Sequence, residues 1–357
     1  MVKIGIIGCG GIANGKHITE LLKIGECQIT ALCDPDENAL SRTAERLHLS
    51  ADQCYKDYKM LIDHADVDAV EICTPNHMHI PIAEYAVAKG KAINVEKPLA
   101  LTAAETCQLA RSLSENPVPN MMCFSYRFYP AVRYAKYLLE KGSIGKIVSV
   151  DVAYLKSSAF WEGRRLDWRF VKKYAGTGVL GDLGVHLIDM TQLLVGDIVS
   201  VSAMTGIVVK KRQRLDSDEY ADVETDDYCN FIANVRDPQS DECIPANFVI
   251  TRCAIGHQNT IRFDIFDTEG FLSFDLNHPD ELTVCIGEVD RDCGGQHKVK
   301  VPAKYTVSQE QMFVDHVSGK ACRYLPSIAD GIKCQKVLDA ILESANTRTF
   351  VSVDPDK

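Results

Sequence analysis

Nowhere in this 357-residue sequence do apolar residues run together for the ~18 positions that a membrane-spanning helix needs. The start carries no basic segment followed by an apolar one, because an apolar run opens at Val2 itself. No secretion leader is expected, and a cytoplasmic protein is the default reading. Excess positive charge is also missing. A net charge of −10 argues against nucleic acid or an anionic membrane as partner. The fourteen cysteines include no Cys-x-x-Cys pair and no spacing that combines paired Cys with paired His. Cys9, Cys33, Cys73 and Cys123 lie in or beside apolar runs, where a free thiol behaves as a small hydrophobe, so reduced cysteines are expected. There is no internal repeat and no low-complexity linker. A hydrophobic share of 46% and a charged share of 25% are those of a soluble globular chain, and the length suits two domains.

The first thirty-four residues carry the strongest pattern. Val2 to Ile7 is a short β-branched run that reads as a buried strand. Gly8, Gly10, Gly11, Ile12 and Ala13 follow, and then helix-compatible sequence to Ile24. This is the strand, glycine turn and helix of a dinucleotide-binding βαβ unit. Gly8 permits the turn, Gly10 lets backbone approach a pyrophosphate, and Ala13 lets helix and strand pack. The helix start then offers N–H groups to phosphate. A second apolar run, Gln28 to Cys33, ends at Asp34, placed to accept from ribose hydroxyls and to repel a 2′-phosphate. NAD is therefore expected over NADP.

Strand-like and helix-like segments alternate from there to residue 124, which predicts a doubly wound parallel sheet. Asp34, Thr74, Asn76, His79, Glu96 and Lys97 stand at or just beyond strand ends, where ligands of such sheets bind. After residue 125 the pattern changes to long alternating strands with hairpin-like spacing, which predicts a large, mostly antiparallel open sheet. The expected domains are 1–125, binding NAD, and 126–357, binding substrate. One face of the second sheet has too few helices to cover it, which favours a homo-oligomer.

Several side chains suit chemistry. Lys97, between Glu96 and Pro98, is either a surface lysine or an amine that stabilises a developing alkoxide. Asp182 and His186, four apart, share a face if helical; the carboxylate then orients an acid/base imidazole, or merely satisfies a partly buried one. Metal ligation by these two with His77 and His79 is the third option, and hydride transfer does not require it. Arg127 is a cleft residue or an ion-pair partner. Trp161, Asp167, Trp168 and Arg169 either stack on a sugar ring or staple a loop, and His257 with Asn259 either reaches the cleft or forms a polar hairpin turn. Lys210 to Glu224 reads as a solvated excursion.

The ordered set GCGGIA, Asp34, TPNHMH, EKP at 96–98, YRF at 126–128 and GDLGVHLID at 181–189 resembles the glucose–fructose oxidoreductase, inositol dehydrogenase and MocA (Gfo/Idh/MocA) family over the whole chain. The resemblance implies a Rossmann domain plus an α/β domain that oligomerises through its open sheet. It implies reversible hydride transfer between nicotinamide and a secondary hydroxyl of a sugar, glycoside or cyclitol. It implies that Lys97, Asp182 and His186 are catalytic, and that Asn76 and His79 lie near the nicotinamide ribose, with Arg127 in the cleft; no metal is expected, since hydride transfer with Lys97 present needs none. Lys97–Pro98 would be cis. The expected substrate contacts are Lys97, Tyr126, Trp168, Arg169, Asp182, His186 and His257. A sugar or glycoside oxidised at a ring hydroxyl such as C3 is favoured over myo-inositol. The alternatives are a myo- or scyllo-inositol 2-dehydrogenase, an enzyme that retains NAD and cleaves glycosides, and a non-catalytic NAD-sensing regulator.

Overall fold

The computed structural model describes residues 1–353. The chain folds into two compact units. One is Met1–Phe124 with Ser308–Ile332, and the other is Ser125–Val307 with the chain from Lys333 onward. Residues 308–332, which the sequence places in the second domain, thus belong with the first.

The first unit is built on six parallel strands, β1 (Val2–Ile7), β2 (Cys27–Cys33), β3 (Cys54–Tyr55), β4 (Ala69–Ile72), β5 (Ala92–Val95) and β6 (Asn120–Met122). Their order is β3-β2-β1-β4-β5-β6, so the sequence reverses direction between β1 and β4. β1 and β4 are almost wholly buried, which is why their residues are apolar apart from Lys3 in β1 and the buried Glu71 in β4. Five helices connect them: α1 (Ile18–Leu21), α2 (Glu37–Leu47), α3 (Tyr58–His64), α4 (His79–Ala88) and α5 (Ala103–Glu115). A wide turn, Ala13–His17, leads into α1, and Ala13 is fully buried as close helix–strand packing requires. Asp36 caps α2 by accepting from the N–H groups of Asn38 and Ala39.

In the second unit, α6 (Pro130–Glu140), the short α7 (Lys172–Ala175) and α8 (Val185–Leu194) accompany eleven further strands. These are β7 (Ile147–Leu155), β8 (Ile198–Gly206), β9 (Lys211–Gln213), β10 (Tyr220–Asp222), β11 (Tyr228–Arg236), β12 (Cys243–Thr251), β13 (Thr260–Asp267), β14 (Gly270–Asp275), β15 (Glu281–Ile286), β16 (His297–Lys300) and β17 (Val351–Ser352). Nine of them form one sheet in the order β16-β15-β14-β13-β7-β12-β11-β8-β17. All its pairs are antiparallel except β7 with β12. Burial alternates along β11 and β12, so one face is core and the other open. Stacked pairs Phe231–Phe248 and Phe263–Phe274 fill the core side, where α8 packs on β7 and β8.

β9 and β10 make a separate hairpin within the stretch expected to be a solvated excursion. That expectation fails at Arg212, which is 5% exposed and donates to the carbonyls of Ala159 and Arg164. After α9 (Glu288–Cys293), α10 (Gln309–Val317) and α11 (Ile328–Thr347) close the chain. Ser327 caps α11, its hydroxyl accepting from the N–H of Asp330. All fourteen cysteines are free thiols. Among the described residues, no helix is long and apolar enough to cross a membrane.

Candidate active site residues of the two units

The glycine turn in the first unit has the shape that a diphosphate needs. Gly8 sits at φ +96°, and a Cβ there would lie 2.7 Å from the Cys73 carbonyl oxygen, so only glycine fits. Ideal Cβ atoms on Gly10 and Gly11 would meet nothing within 4 Å, which leaves their backbone open to a ligand. Ile12 is exposed beside them. Asp34 closes the turn: one carboxylate oxygen accepts from the Cys9 N–H at 2.7 Å and the other from the Asp36 N–H at 2.8 Å. At the end of β4, the Thr74 hydroxyl is buried with no protein partner. A strand-end hydroxyl left over beside an open glycine turn fits a nucleotide cofactor.

Lys97 follows β5, and the Lys97–Pro98 peptide is cis. Glu96 and His79, expected near the cofactor, have their polar atoms engaged inside the unit. Glu96 accepts from His17 Nε2 at 2.8 Å and from the Lys97 N–H at 3.1 Å. Burial works to raise its pKa, but the hydrogen bond and charge of His17 and the charge of Lys97 overcome this and leave it at about 2. His79 is fully buried, with Nδ1 2.7 Å from the Pro98 carbonyl and Nε2 2.9 Å from that of Thr74. A neutral ring donates to only one of the two. Two carbonyls favour the protonated ring, whereas burial, the larger effect, lowers its pKa. The ring thus lies between the carbonyls of the TPN loop and of the loop after Lys97 and, when neutral, donates to one of them.

In the second unit, the glycine-rich stretch forms a wide turn, Leu180–Gly184, that runs into α8. Asp182 stands in this turn, half-buried, and His186 in the first turn of α8, buried. Tyr126 lies edge-on to His186, ring centroids 4.6 Å apart. The Tyr126 hydroxyl is 2.7 Å from that of Tyr154, which donates to Asn259 Oδ1 at 2.8 Å. Burial pushes the Tyr154 phenol up, so it stays protonated. The turn is held from behind. Asp226 accepts from the N–H groups of Gly178 at 2.6 Å and Leu180 at 2.9 Å, and a Cβ on Gly178 would fall 1.9 Å from the Asp226 carbonyl oxygen.

Five other expected residues can be placed locally. Arg127 is buried and forked onto Asp189 of α8, the ion-pair option. Arg169 stacks on Trp168 at 4.5 Å, and Trp161 is 54% exposed. His257 bonds the Thr260 hydroxyl at 3.0 Å, as a polar hairpin turn would. Sequence reasoning missed Tyr154, Asp189 and Asp226. The acidic pair Asp226–Asp227 just ahead of a strand was the one visible signal, because adjacent acids are rarely buried without donors.

A parallel nucleotide-binding sheet joined in sequence to an open antiparallel sheet with an imidazole and a carboxylate defines a two-domain oxidoreductase. Residues 2–124 match the family described as "Oxidoreductase family, NAD-binding Rossmann fold", and residues 132–273 match the "GFO/IDH/MocA C-terminal domain". The chain belongs to the Gfo/Idh/MocA oxidoreductases, and NAD is its cofactor. It is 33% identical to a levoglucosan dehydrogenase of Pseudarthrobacter phenanthrenivorans over 322 residues, 83% of each chain. It is 24% identical to a glucose-6-phosphate 3-dehydrogenase of Bacillus subtilis over 99% of each. A levoglucosan dehydrogenase solved with NADH and levoglucosan superposes with a TM-score of 0.86 at 28% identity over 99% of both chains.

Proposed function

We propose that this enzyme oxidises a secondary ring hydroxyl of a sugar or glycoside, the C3 hydroxyl foremost, and passes the hydride to NAD. The carrying observation is that both units match the family while Lys97, Asp182 and His186 keep their motif positions. The relatives' names favour anhydro sugars and hexose derivatives oxidised at position 3 over cyclitols, since the inositol 2-dehydrogenase of Rhizobium meliloti is only 22% identical. In the proposed chemistry His186 takes the hydroxyl proton as the carbon gives up hydride to nicotinamide. Asp182 favours the charged imidazole, and the Lys97 ammonium stabilises the forming alkoxide. The products are a ketone, NADH and a proton. Asp34, the glycine turn and Thr74 hold the cofactor. Glu96 and His79 position Lys97 and the TPN loop. Trp168, Arg169, Tyr126 and His257 are the proposed sugar contacts.

The open face of the second sheet carries Met204, Ile232 and Val249, each more than 40% exposed, and is the proposed surface for self-association. Light scattering on the purified protein, with Ile232→Lys beside it, tests this; a monomeric wild type ends it.

Levoglucosan, glucose, glucose 6-phosphate, aryl glucosides and myo-inositol, each with NAD and scored by NADH absorbance, test the substrate class. A sugar or glycoside should lead myo-inositol by at least roughly tenfold in kcat/KM, about 1.4 kcal/mol of transition-state discrimination. Myo-inositol in first place overturns the reading. Glycoside cleavage without net NADH would point to the NAD-retaining alternative.

A further inference from the structure

Behind Lys97, in the interior of the first unit, lies a cluster that hydride transfer does not use. His17 and Glu71 are fully buried, and Glu310, Cys123 and Glu96 are 2%, 2% and 8% exposed. One imidazole is thus packed among three carboxylates and a thiol. With all three glutamates ionised and His17 protonated, negative charge exceeds positive by two, an imbalance that a buried site tolerates poorly.

The two sides of the His17 ring differ. Nε2 makes a closed hydrogen bond to Glu96 at 2.8 Å. Nδ1 has no hydrogen-bond partner, yet it faces Glu71 Oε2 and Glu310 Oε1, each at 3.5 Å. That separation is too long for a shared proton, which would draw the pair in as it does on the Nε2 side. It is too short for a water in between, whose two ~2.8 Å arms at a tetrahedral angle set their ends about 4.6 Å apart. It equals the edge of a tetrahedron with arms of about 2.1 Å, the bond length of zinc to nitrogen and oxygen ligands. One ligand atom each of His17, Glu71 and Cys123 lies within 4.8 Å of the other two.

We infer that His17 Nδ1, the Glu71 carboxylate and Cys123 Sγ form a buried structural site for one divalent cation of zinc type, with the Glu310 carboxylate, 3.5 Å from Nδ1 but outside that mutual set, as the fourth ligand the ion would draw in. The donor set of one nitrogen, one sulfur and carboxylate oxygens selects zinc or cobalt over magnesium or calcium, which take oxygen alone. The surroundings orient the ligands as second partners do in closed metal sites. Glu96 accepts from the far nitrogen of His17, which fixes Nδ1 as the bare lone pair. Asn94 donates to Glu71 Oε2 at 2.8 Å and accepts from the Cys123 thiol at 3.3 Å. Gln309 donates to Glu310 at 3.3 Å and accepts from Lys16 at 3.0 Å. Binding the ion releases the thiol proton to solvent and leaves a thiolate, and with it any proton held by Glu71. The ion joins the helix after the glycine turn, β4, the end of β6 and the start of α10, all within one unit.

The test is the metal content of the full-length protein, expressed with zinc in the medium and purified without chelator. About one zinc per chain is expected. Cys123→Ser should weaken zinc affinity by at least about 100-fold. Cys293→Ser, at an exposed thiol, should leave the content unchanged. In cobalt-loaded protein a thiolate-to-cobalt absorption band should appear and vanish in Cys123→Ser. Folded wild type that carries no zinc, and whose melting temperature does not rise when zinc is added after chelation, overturns the inference. So does a Cys123→Ser protein that keeps its zinc. These readouts do not involve turnover, so they stand apart from the substrate assignment.

Discussion

Arg127 and Asp189 form a buried fork: the guanidinium Nε lies 2.9 and 2.8 Å from the two carboxylate oxygens, and Nη2 lies 2.5 Å from Oδ1. Asp189 stands one helical turn beyond His186, and Tyr126, next to Arg127, touches the His186 ring. The ion pair therefore fixes both walls around the imidazole. Asp189→Ala leaves a buried guanidinium with its main partner gone and should cost about 3–5 kcal/mol in urea unfolding. The volume-matched double change Arg127→Met with Asp189→Leu should recover most of it. A loss below about 1 kcal/mol in the single variant would show that the fork contributes little.

Asp226 offers a subtler lesion. Asp226→Asn keeps the shape but sets an amide N–H against one of two backbone N–H donors. The expected outcome is about 1–3 kcal/mol of stability lost. Turnover should fall roughly 10- to 100-fold through displacement of the Asp182 turn, with NAD affinity unchanged. Normal turnover in the folded variant would remove Asp226 from any positioning role.

Lys97→Ala and His186→Ala should each lower turnover by about 10²–10⁴, with NAD affinity nearly intact by fluorescence titration. Unchanged turnover in either excludes that side chain from the chemistry.

Asp34→Ser tests the proposed role of this carboxylate in opposing a 2′-phosphate. The kcat/KM preference for NAD over NADP should shrink by at least roughly tenfold, the effect of ~1.4 kcal/mol. An unaltered preference would place cofactor selection elsewhere.

Glu96 makes the acid limb of stability testable in chelator-treated protein. Its folded pKa is brought to about 2, below the usual carboxylate value of 4.5, by His17 and Lys97 against the opposing effect of burial. A depressed acid contributes fully above about pH 4.5 and loses that contribution as pH falls towards 2. Urea midpoints measured from pH 6 to 3 should decline more steeply in wild type than in Glu96→Gln. Parallel curves would contradict the depressed pKa.

The sequence by itself determined the elements whose signal is local. A β-branched run, a turn that only glycine tolerates and a helix start are encoded within a dozen residues, so β1, the glycine turn and Asp34 were all legible. The period-2 burial of β7 was equally plain, because one buried face imposes it. Only the tertiary structure decided the partners of the buried polar groups. His17 meets Glu71, Glu96 and Glu310, and Arg127 meets Asp189, across separations that no local pattern encodes. The same holds for Asp226, buried because distant N–H groups satisfy it, and for residues 308–332, which join the first unit although they follow the second in the chain. Apolar periodicity reports which face is buried, whereas a buried charge is explained only by the donor or acceptor that chain folding brings to it.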